Sequence, residues 1–410
     1  MSGMRVLVIG GGAAGLIAAG TAAARGYEVL IIEQNARPAR KVMITGKGRC
    51  NLTNNCTIDE LILNTPTNPR FLYSAFSAFS PQDMMALVER MGVPLKTERG
   101  NRVFPVSDKA VDIVDALTRY AKENGCHFIQ GKVDALCLQD GVCTGVHLED
   151  GRELEAYAVI VATGGCSYPQ TGSDGSGYAL AKQAGHTVTE LRPSLVPLVS
   201  NDAYCKEMQG LSPRNCALTV EDTVKNKVIF TDFGEMLFTH FGISGPMALS
   251  ASAHMRDMQA GRYIVYVDWK PALSPEQLDA RILRDLSENR NCDFSNALGK
   301  LLPQKAVPVF VELSGVAGNR KCHSVTREER LRFGALLKRF PIHITGFRPI
   351  SEAIITSGGV SIKEIVSKTM ASKLVDGLYF AGEILDVDAY TGGFNLQIAF
   401  STGYAAGDHV

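Results

Sequence analysis

The 410-residue sequence carries no excess of either charge: 42 basic side chains balance 42 acidic ones. No net field steers it toward nucleic acid or an anionic membrane. Its ten cysteines contain no C-x-x-C pair, which argues against a zinc ribbon or a thioredoxin-like motif. Dispersed cysteines of this kind suit buried thiols in a reducing cytoplasm. The eight histidines show no H-x-x-x-H spacing, so no metal site is expected. A G-x-S-x-G nucleophile elbow is also missing, because Gly242-Ile243-Ser244-Gly245 is off by one position. The 19 uncharged residues 6–24 resemble a membrane span only until their central glycine cluster splits them into strand and helix. At this length two or three domains are expected.

What the chain does have is a nucleotide-binding pattern at its start. An apolar run (6–9), a turn Gly10-Gly11-Gly12-Ala13-Ala14-Gly15, an Ala-rich helix and a second apolar run ending in Glu33 make a βαβ unit. Gly10, Gly12 and Gly15 stand where a dinucleotide fold needs a tight turn, close backbone approach to pyrophosphate, and close helix-to-strand packing. The helix then offers free N–H groups and the positive end of its dipole to the phosphates. Glu33, about 20 residues past the turn, can accept hydrogen bonds from a ribose 2′-OH and disfavours a 2′-phosphate. A Gly-rich turn alone is a weak signal; strand, turn, helix, strand and acid in register are a strong one. NAD and FAD both stay open at this point.

Residues 34–58 hold no acid but include Arg37, Arg40, Lys41, Lys47 and Arg49, and 41–54 is too Gly- and Asn-broken for a regular helix. Either this is an exposed basic loop, or it lines a pyrophosphate, a reduced flavin edge or an anionic substrate. Helical spacing follows at 81–91 and 108–124, a hairpin or turn at 99–105, and an antiparallel meander at 126–158. An apolar strand then ends at Thr163-Gly164-Gly165, where small residues let another backbone pass close to a cofactor. Composition shifts at 193–197, residues 196–269 read as a small β-domain, and 271–340 is mostly helical, starting at Ser274-Pro275-Glu276-Gln277. Seven basic residues against two acids in 320–339 read first as a solvated helical face and second as a phosphate-contacting patch. Near the end, Gly382-Glu383 closes a short strand, Asp386 follows, and Gly392-Gly393-Phe394-Asn395-Leu396-Gln397 opens a last helix aimed at negative charge on a flavin pyrimidine. The expected site is therefore assembled from both ends of the chain.

On these motifs the chain resembles the two-dinucleotide-binding-domain flavoproteins, specifically the bacterial BaiN-like or aminoacetone-oxidase-like family. The resemblance spans essentially the full length and is carried by the Gly10 turn with Glu33, the loop Ile44 to Asn54, the Ala162-Thr163-Gly164-Gly165 turn, and the two closing motifs. It implies FAD and an α/β fold: a discontinuous Rossmann-like FAD-binding domain (1–193 and 349–410), an inserted β-barrel domain (194–270 and 341–348), and a helical cap (271–340). It implies pyrophosphate contacts at Gly10, Gly12, Ala14 and Gly15 with Ala13 a further cofactor contact, the adenosine ribose at Glu33, and the nucleotide side at Thr163 and Gly164. Asp386 resembles the acid near the ribityl chain. Gly46, Gly48, Arg49, Cys50 and Asn51, with Gly393, Phe394 and Asn395, would approach the isoalloxazine. Gln34, Lys41, Thr45, Val133, Gly165, Gly382, Glu383 and Gln397 complete the implied cofactor contacts. Lys47 stands where relatives commonly have a further glycine.

Members of that family are linked to reduction of conjugated C=C bonds, in steroid-like molecules or a uridine base, and to amine oxidation. The leading expectation is a reductase passing hydride from flavin N5 to an activated C=C bond, with NADH or NADPH as donor. A flavin-dependent amine oxidase giving electrons to O₂ and a non-catalytic flavin-binding sensor are the alternatives. The expected partner is a small molecule, or RNA through 320–339; no membrane partner is expected, and the oligomeric state stays open. Cys50, with Asn51, is the catalytic candidate, since a thiol can supply the proton that follows hydride. A space-filling thiol is the other reading of Cys50.

Overall fold

The structure, a computed structural model, describes residues 3–410. Strand Arg5–Ile9 is covered on both faces, with Val6, Leu7 and Val8 fully buried, so its sequence is continuously apolar rather than alternating. It sits in the middle of a five-stranded sheet whose order is Leu378–Phe380, Ala158–Val161, Arg5–Ile9, Glu28–Glu33, His127–Gln130. Every neighbouring pair is parallel. The edge strand His127–Gln130 corrects the expected meander over 126–158. It leaves the antiparallel group to pair with Glu28–Glu33, and Val133–Gln139, Val142–Leu148 and Glu153–Glu155 form a separate three-stranded sheet.

The chain folds into two compact units, Met1–Ser194 with Pro349–Val410, and Leu195–Arg348. In the first unit the helix Ala13–Ala24 lies parallel to the last helix, Phe394–His409. Small residues set their spacing: a Cβ on Gly403 would stand 2.3 Å from the Ala14 carbonyl oxygen, and one on Gly407 2.3 Å from that of Ala18. Only glycine permits that approach. Since Ala14 is level with Gly403, the last helix extends nine residues, about 13 Å at 1.5 Å per residue, beyond that level toward its own N-terminus.

The second unit is built on an antiparallel sheet of seven assigned strands, with Lys227–Glu235 at one edge and Leu237–Thr239 at the other. These two edges are one chain segment bent at Met236, so the sheet closes on itself as a barrel. The helices Pro275–Glu288, Val307–Ser314 and Arg327–Lys338 share the barrel strands' apolar cluster: Phe310 packs on Trp269 and Phe340, and Phe333 packs on Phe294 and Phe310. Ser274 begins the first of these helices with a reciprocal cap to Gln277. No helix among the described residues is long and apolar enough to cross a membrane.

Candidate functional site

In a parallel sheet, ligands bind outside the carboxyl ends of the strands. A cavity of about 1280 Å³, including its open mouth, occupies that place in the first unit. Its walls hold the residues that follow all five strands: Gly10, Gln34, Gly131, Ala162 and Ala381. Five strands span four gaps of about 4.8 Å, roughly 19 Å in all, enough for an extended dinucleotide.

The first turn shows how the glycines divide the work. Gly10 has φ +99°, and a Cβ there would lie 2.7 Å from the Ala162 carbonyl oxygen. A Cβ on Gly15 would lie 1.9 Å from the Gly10 oxygen. Both positions are fixed by backbone packing. Gly12, the N-cap of the first helix, has φ −81°, and among the described residues no atom lies within 4 Å of its ideal Cβ. Its open side, together with the uncapped N–H groups of the helix start, is a cradle for an anion. Glu33 accepts from the Gly11 N–H at 2.8 Å and from Asn35 through its N–H at 2.8 Å and Nδ2 at 2.7 Å, which fixes its carboxylate at the cavity wall. Gln34 Nε2 donates to the Gly172 carbonyl at 2.8 Å and ties the same edge to the loop before the helix Ser176–Gln183.

At the far end, Lys41 Nζ donates to Glu383 Oε2 and to Ser167 Oγ, both at 2.6 Å. Ser167 Oγ donates to Glu383 Oε1 at 2.9 Å, and the Thr356 N–H donates to the same oxygen at 2.8 Å. Residues from three other stretches of the chain thus converge on one carboxylate. Ser167 and Thr356 were not anticipated from the sequence, because nothing near them in the chain marks them as partners of Lys41 and Glu383. Thr163 Oγ1 is buried beside the cavity without a hydrogen-bond partner among the described residues.

The cavity brings together Gly10, Gly12, Ala13, Ala14, Glu33, Gln34, Lys41, Thr45, Val133, Thr163, Gly164, Gly382, Glu383 and Asn395. Other expected contacts lie outside its lining. Gly165 packs on Thr356 and Glu383, while Gly393 packs on Thr53, whose backbone would stand 2.5 Å from a Cβ. Phe394 is 7% exposed, and the Asp386 carbonyl accepts from Asn68 Nδ2 at 2.7 Å. Gln397 is fully buried, accepting from Thr53 Oγ1 at 2.7 Å and donating to the Phe79 carbonyl at 3.1 Å, so its amide is spent on the fold. Asn395 lines the cavity, but its side chain brackets both backbone groups of Ala389 at 2.8 and 2.7 Å.

The basic loop is partly helical, at Arg40–Ile44, and then turns through positive φ at Gly46, Lys47, Gly48 and Cys50. Arg49 faces away from the cavity lining: it pairs with Glu98 and with Asp108 (Nε to Oδ1 2.8 Å) and lies 4.1 Å from the Phe104 ring centroid. The hydrogen bond from Arg49 holds the Glu98 carboxyl below its ordinary range, and those from Lys96 and Arg49 do the same to Asp108. Cys50 has none of its surface exposed, and burial pushes its thiol up to about 12. Cys50 is thus sealed and outside the lining. Asn51, also outside the lining, keeps a buried Oδ1 without a partner among the described residues.

A Ser-His-Glu trio stands elsewhere in this unit, with His186 Nδ1 3.1 Å from Glu364 and Nε2 2.8 Å from Ser372 Oγ. Ser372 Oγ also accepts the N–H groups of Leu374 and Val375, both at 3.0 Å, and Ser372 is 8% exposed. Its hydroxyl organises a turn and is not free to act as a nucleophile.

The open side of Gly12, the fixed Glu33 carboxylate and a cleft across five strand ends fit FAD, and fold and cavity together are those of the Rossmann dinucleotide-binding class. Residues 4–409 match the HI0933-like protein Rossmann domain. The chain is 31% identical to a 3-dehydro-bile acid delta(4,6)-reductase from Clostridium scindens, over 98% of each chain. It is 30% identical to the ribosomal RNA dihydrouridine synthase of Escherichia coli, over 97% of this chain and 96% of that one. Among solved structures it is similar in fold to 3-ketosteroid delta1-dehydrogenase from Sterolibacterium denitrificans, with TM-score 0.54, 12% identity and 98% of each chain covered. The protein belongs to the HI0933-like flavoprotein family.

Proposed function

We propose that this protein reduces a C=C bond conjugated to a carbonyl in a small molecule, with FAD as carrier and NADH or NADPH as electron donor in the cytoplasm. The observation that carries this reading is the full-length 31% identity to a bile acid reductase together with a dinucleotide cleft open at Gly12. FAD, when bound, supplies hydride transfer; the chain's residues bind and orient it. In this reading Gly12, Ala13 and Ala14 hold the pyrophosphate, Glu33 the adenosine ribose, and Lys41, Thr45 and Glu383 the opposite end. Residues 1–193 with 349–410 carry the flavin, residues 194–270 with 341–348 form the inserted barrel, and 271–340 its helical part.

The second reading is a uridine in RNA as acceptor, favoured by the 30% identity to a ribosomal RNA dihydrouridine synthase. The basic run gives it little support. Arg320 is paired with Glu329, Lys321 with Asp293, Arg330 with Asp279, Lys338 with Asp268 and Arg339 with Glu221. Cations already held by carboxylates release few counterions to a phosphate backbone. Anaerobic reduction with NADH or NADPH, followed by addition of a steroid-type enone, a uridine-containing ribosomal RNA or O₂, separates the readings by which one reoxidises the flavin. Reoxidation by the enone is expected; reoxidation by RNA or O₂ alone overturns the small-molecule reductase.

A further inference from the structure

Cys292 and Cys322 lie in the second unit, where two chain segments meet for a single antiparallel bridge between Asp293 and Lys321. The flanking hydrogen bonds set the register: the Phe294 N–H donates to the Arg320 carbonyl at 2.7 Å, and the Cys322 N–H donates to the Cys292 carbonyl at 3.0 Å. On one face of this short ladder Lys321 Nζ meets Asp293 Oδ1 at 2.8 Å. The Cys322–Cys292 backbone bond sets these two residues side by side where the segments leave the bridge, and their thiols lie close enough to act on one another electrostatically. Directly opposed residues of such a pair have α-carbons about 5.5 Å apart, within the span a disulfide bridges.

The two thiols differ in a useful way. Cys292 is exposed, whereas Cys322 is 3% exposed and packed in the unit's apolar core. We propose that Cys292 and Cys322 are a reversible dithiol–disulfide pair, entered at Cys292 by a low-molecular-weight disulfide of the glutathione type. The Cys292 thiolate attacks one sulfur of that disulfide, forms a mixed disulfide and expels one thiolate. Cys322 loses its proton to water and its sulfur attacks Cys292 Sγ, which releases the second thiol. Two protein thiols are oxidised by two electrons, and one small disulfide is reduced to two thiols. Burial, and next the neighbouring Cys292, push the Cys322 thiol above its ordinary range, which makes it the resolving partner and not the first to react.

The bond would close the loop that carries the helices Phe294–Ala297 and Val307–Ser314. The other neighbouring pair, Cys137 and Cys143, serves as the comparison: the register shifts between them, with Cys137 opposite Gly145 and Cys143 opposite Leu138, so they are not directly opposed.

The test uses the full-length flavinated protein, incubated with oxidised glutathione, quenched by alkylation and mapped by peptide mass. The expected result is a linked Cys292–Cys322 peptide, loss of two alkylatable thiols, and full reversal by dithiothreitol. Cys292→Ser should leave Cys322 unmodified in the folded protein, and Cys322→Ala should stop at a stable glutathione adduct on Cys292. The oxidant should raise the unfolding midpoint of the parent protein and leave that of Cys292→Ser unmoved. A parent protein that stops at the Cys292 adduct, or links Cys137 to Cys143 instead, overturns the proposal.

Discussion

Gly12→Val separates folding from flavin binding, because the structure gives its side chain free space in the protein and the proposed pyrophosphate contact would leave it none. The backbone at Gly12 has φ −81°, which any L residue adopts, and no described atom lies within 4 Å of its Cβ. The apoprotein should lose only the N-cap preference of glycine, of the order of 1 kcal/mol or less. Flavin binding loses access to the helix N–H donors, and hydrogen bonds to charged groups are worth about 1.5–3 kcal/mol each. Two such bonds make about 3–6 kcal/mol, a loss of at least about 100-fold in affinity at 1.4 kcal/mol per decade. Gly15→Ala is the contrasting variant: its Cβ, 1.9 Å from the Gly10 oxygen, forces the turn open and should destabilise the apoprotein by about 1–3 kcal/mol or more. Urea unfolding of both apoproteins and FAD titration by calorimetry read the two effects separately. Full FAD occupancy at unchanged affinity in Gly12→Val would refute the cradle, and an apoprotein as unstable as Gly15→Ala would refute its open side.

Gly403→Ala should destabilise by about 1–3 kcal/mol, since a Cβ there sits 2.3 Å from the Ala14 oxygen. Gly334→Ala, whose Cβ meets only Ile282 Cδ1 at 3.5 Å, should stabilise by up to about 1 kcal/mol; urea midpoints of opposite sign check the pair. Cys50→Ala should keep its flavin and reduce acceptor at near the parent rate, at a stability cost of about 1–2 kcal/mol; slowing by about 100-fold in stopped-flow would restore the proton-donor role. Burial holds the His186 imidazole below its ordinary value against the opposing pull of Glu364, so the folded state binds fewer protons than the unfolded one. Stability from this group is present above pH 6.5 and declines below it, by at most about 1.4 kcal/mol per pH unit; His186→Gln should flatten that dependence in urea titrations at pH 5.5 and 7.5.

The geometry of the first turn and of Glu33 was legible because its information is local. Gly10, Gly12, Gly15 and Glu33 act through spacings shorter than one βαβ unit, and each lies where that spacing puts it. Side chains whose partners are distant were not legible. Arg49 carries the composition of an anion ligand, yet Glu98 and Asp108 on the far side of a hairpin take its charge. Gln397 sits in a motif that points at the flavin, but its amide is consumed by Thr53 and Phe79, more than 300 positions away. His127–Gln130 reads as part of a meander because its composition is that of any short strand; pairing with Glu28–Glu33 decides its sheet. The Lys41–Ser167–Glu383 cluster fails to show for the same reason.

The close parallel packing of the first and last helices also orders events in time. Ala13 and Phe394 are about 380 positions apart, so at about 5–20 residues per second the ribosome delivers the second helix roughly 20–80 s after the first. Through that interval the nascent chain holds the Gly12 cradle without the wall that completes the cavity, and the small-residue stripe of Ala14 and Ala18 stays uncovered. The cavity is therefore completed only when this helix docks, and any factor that shields that stripe acts before the docking.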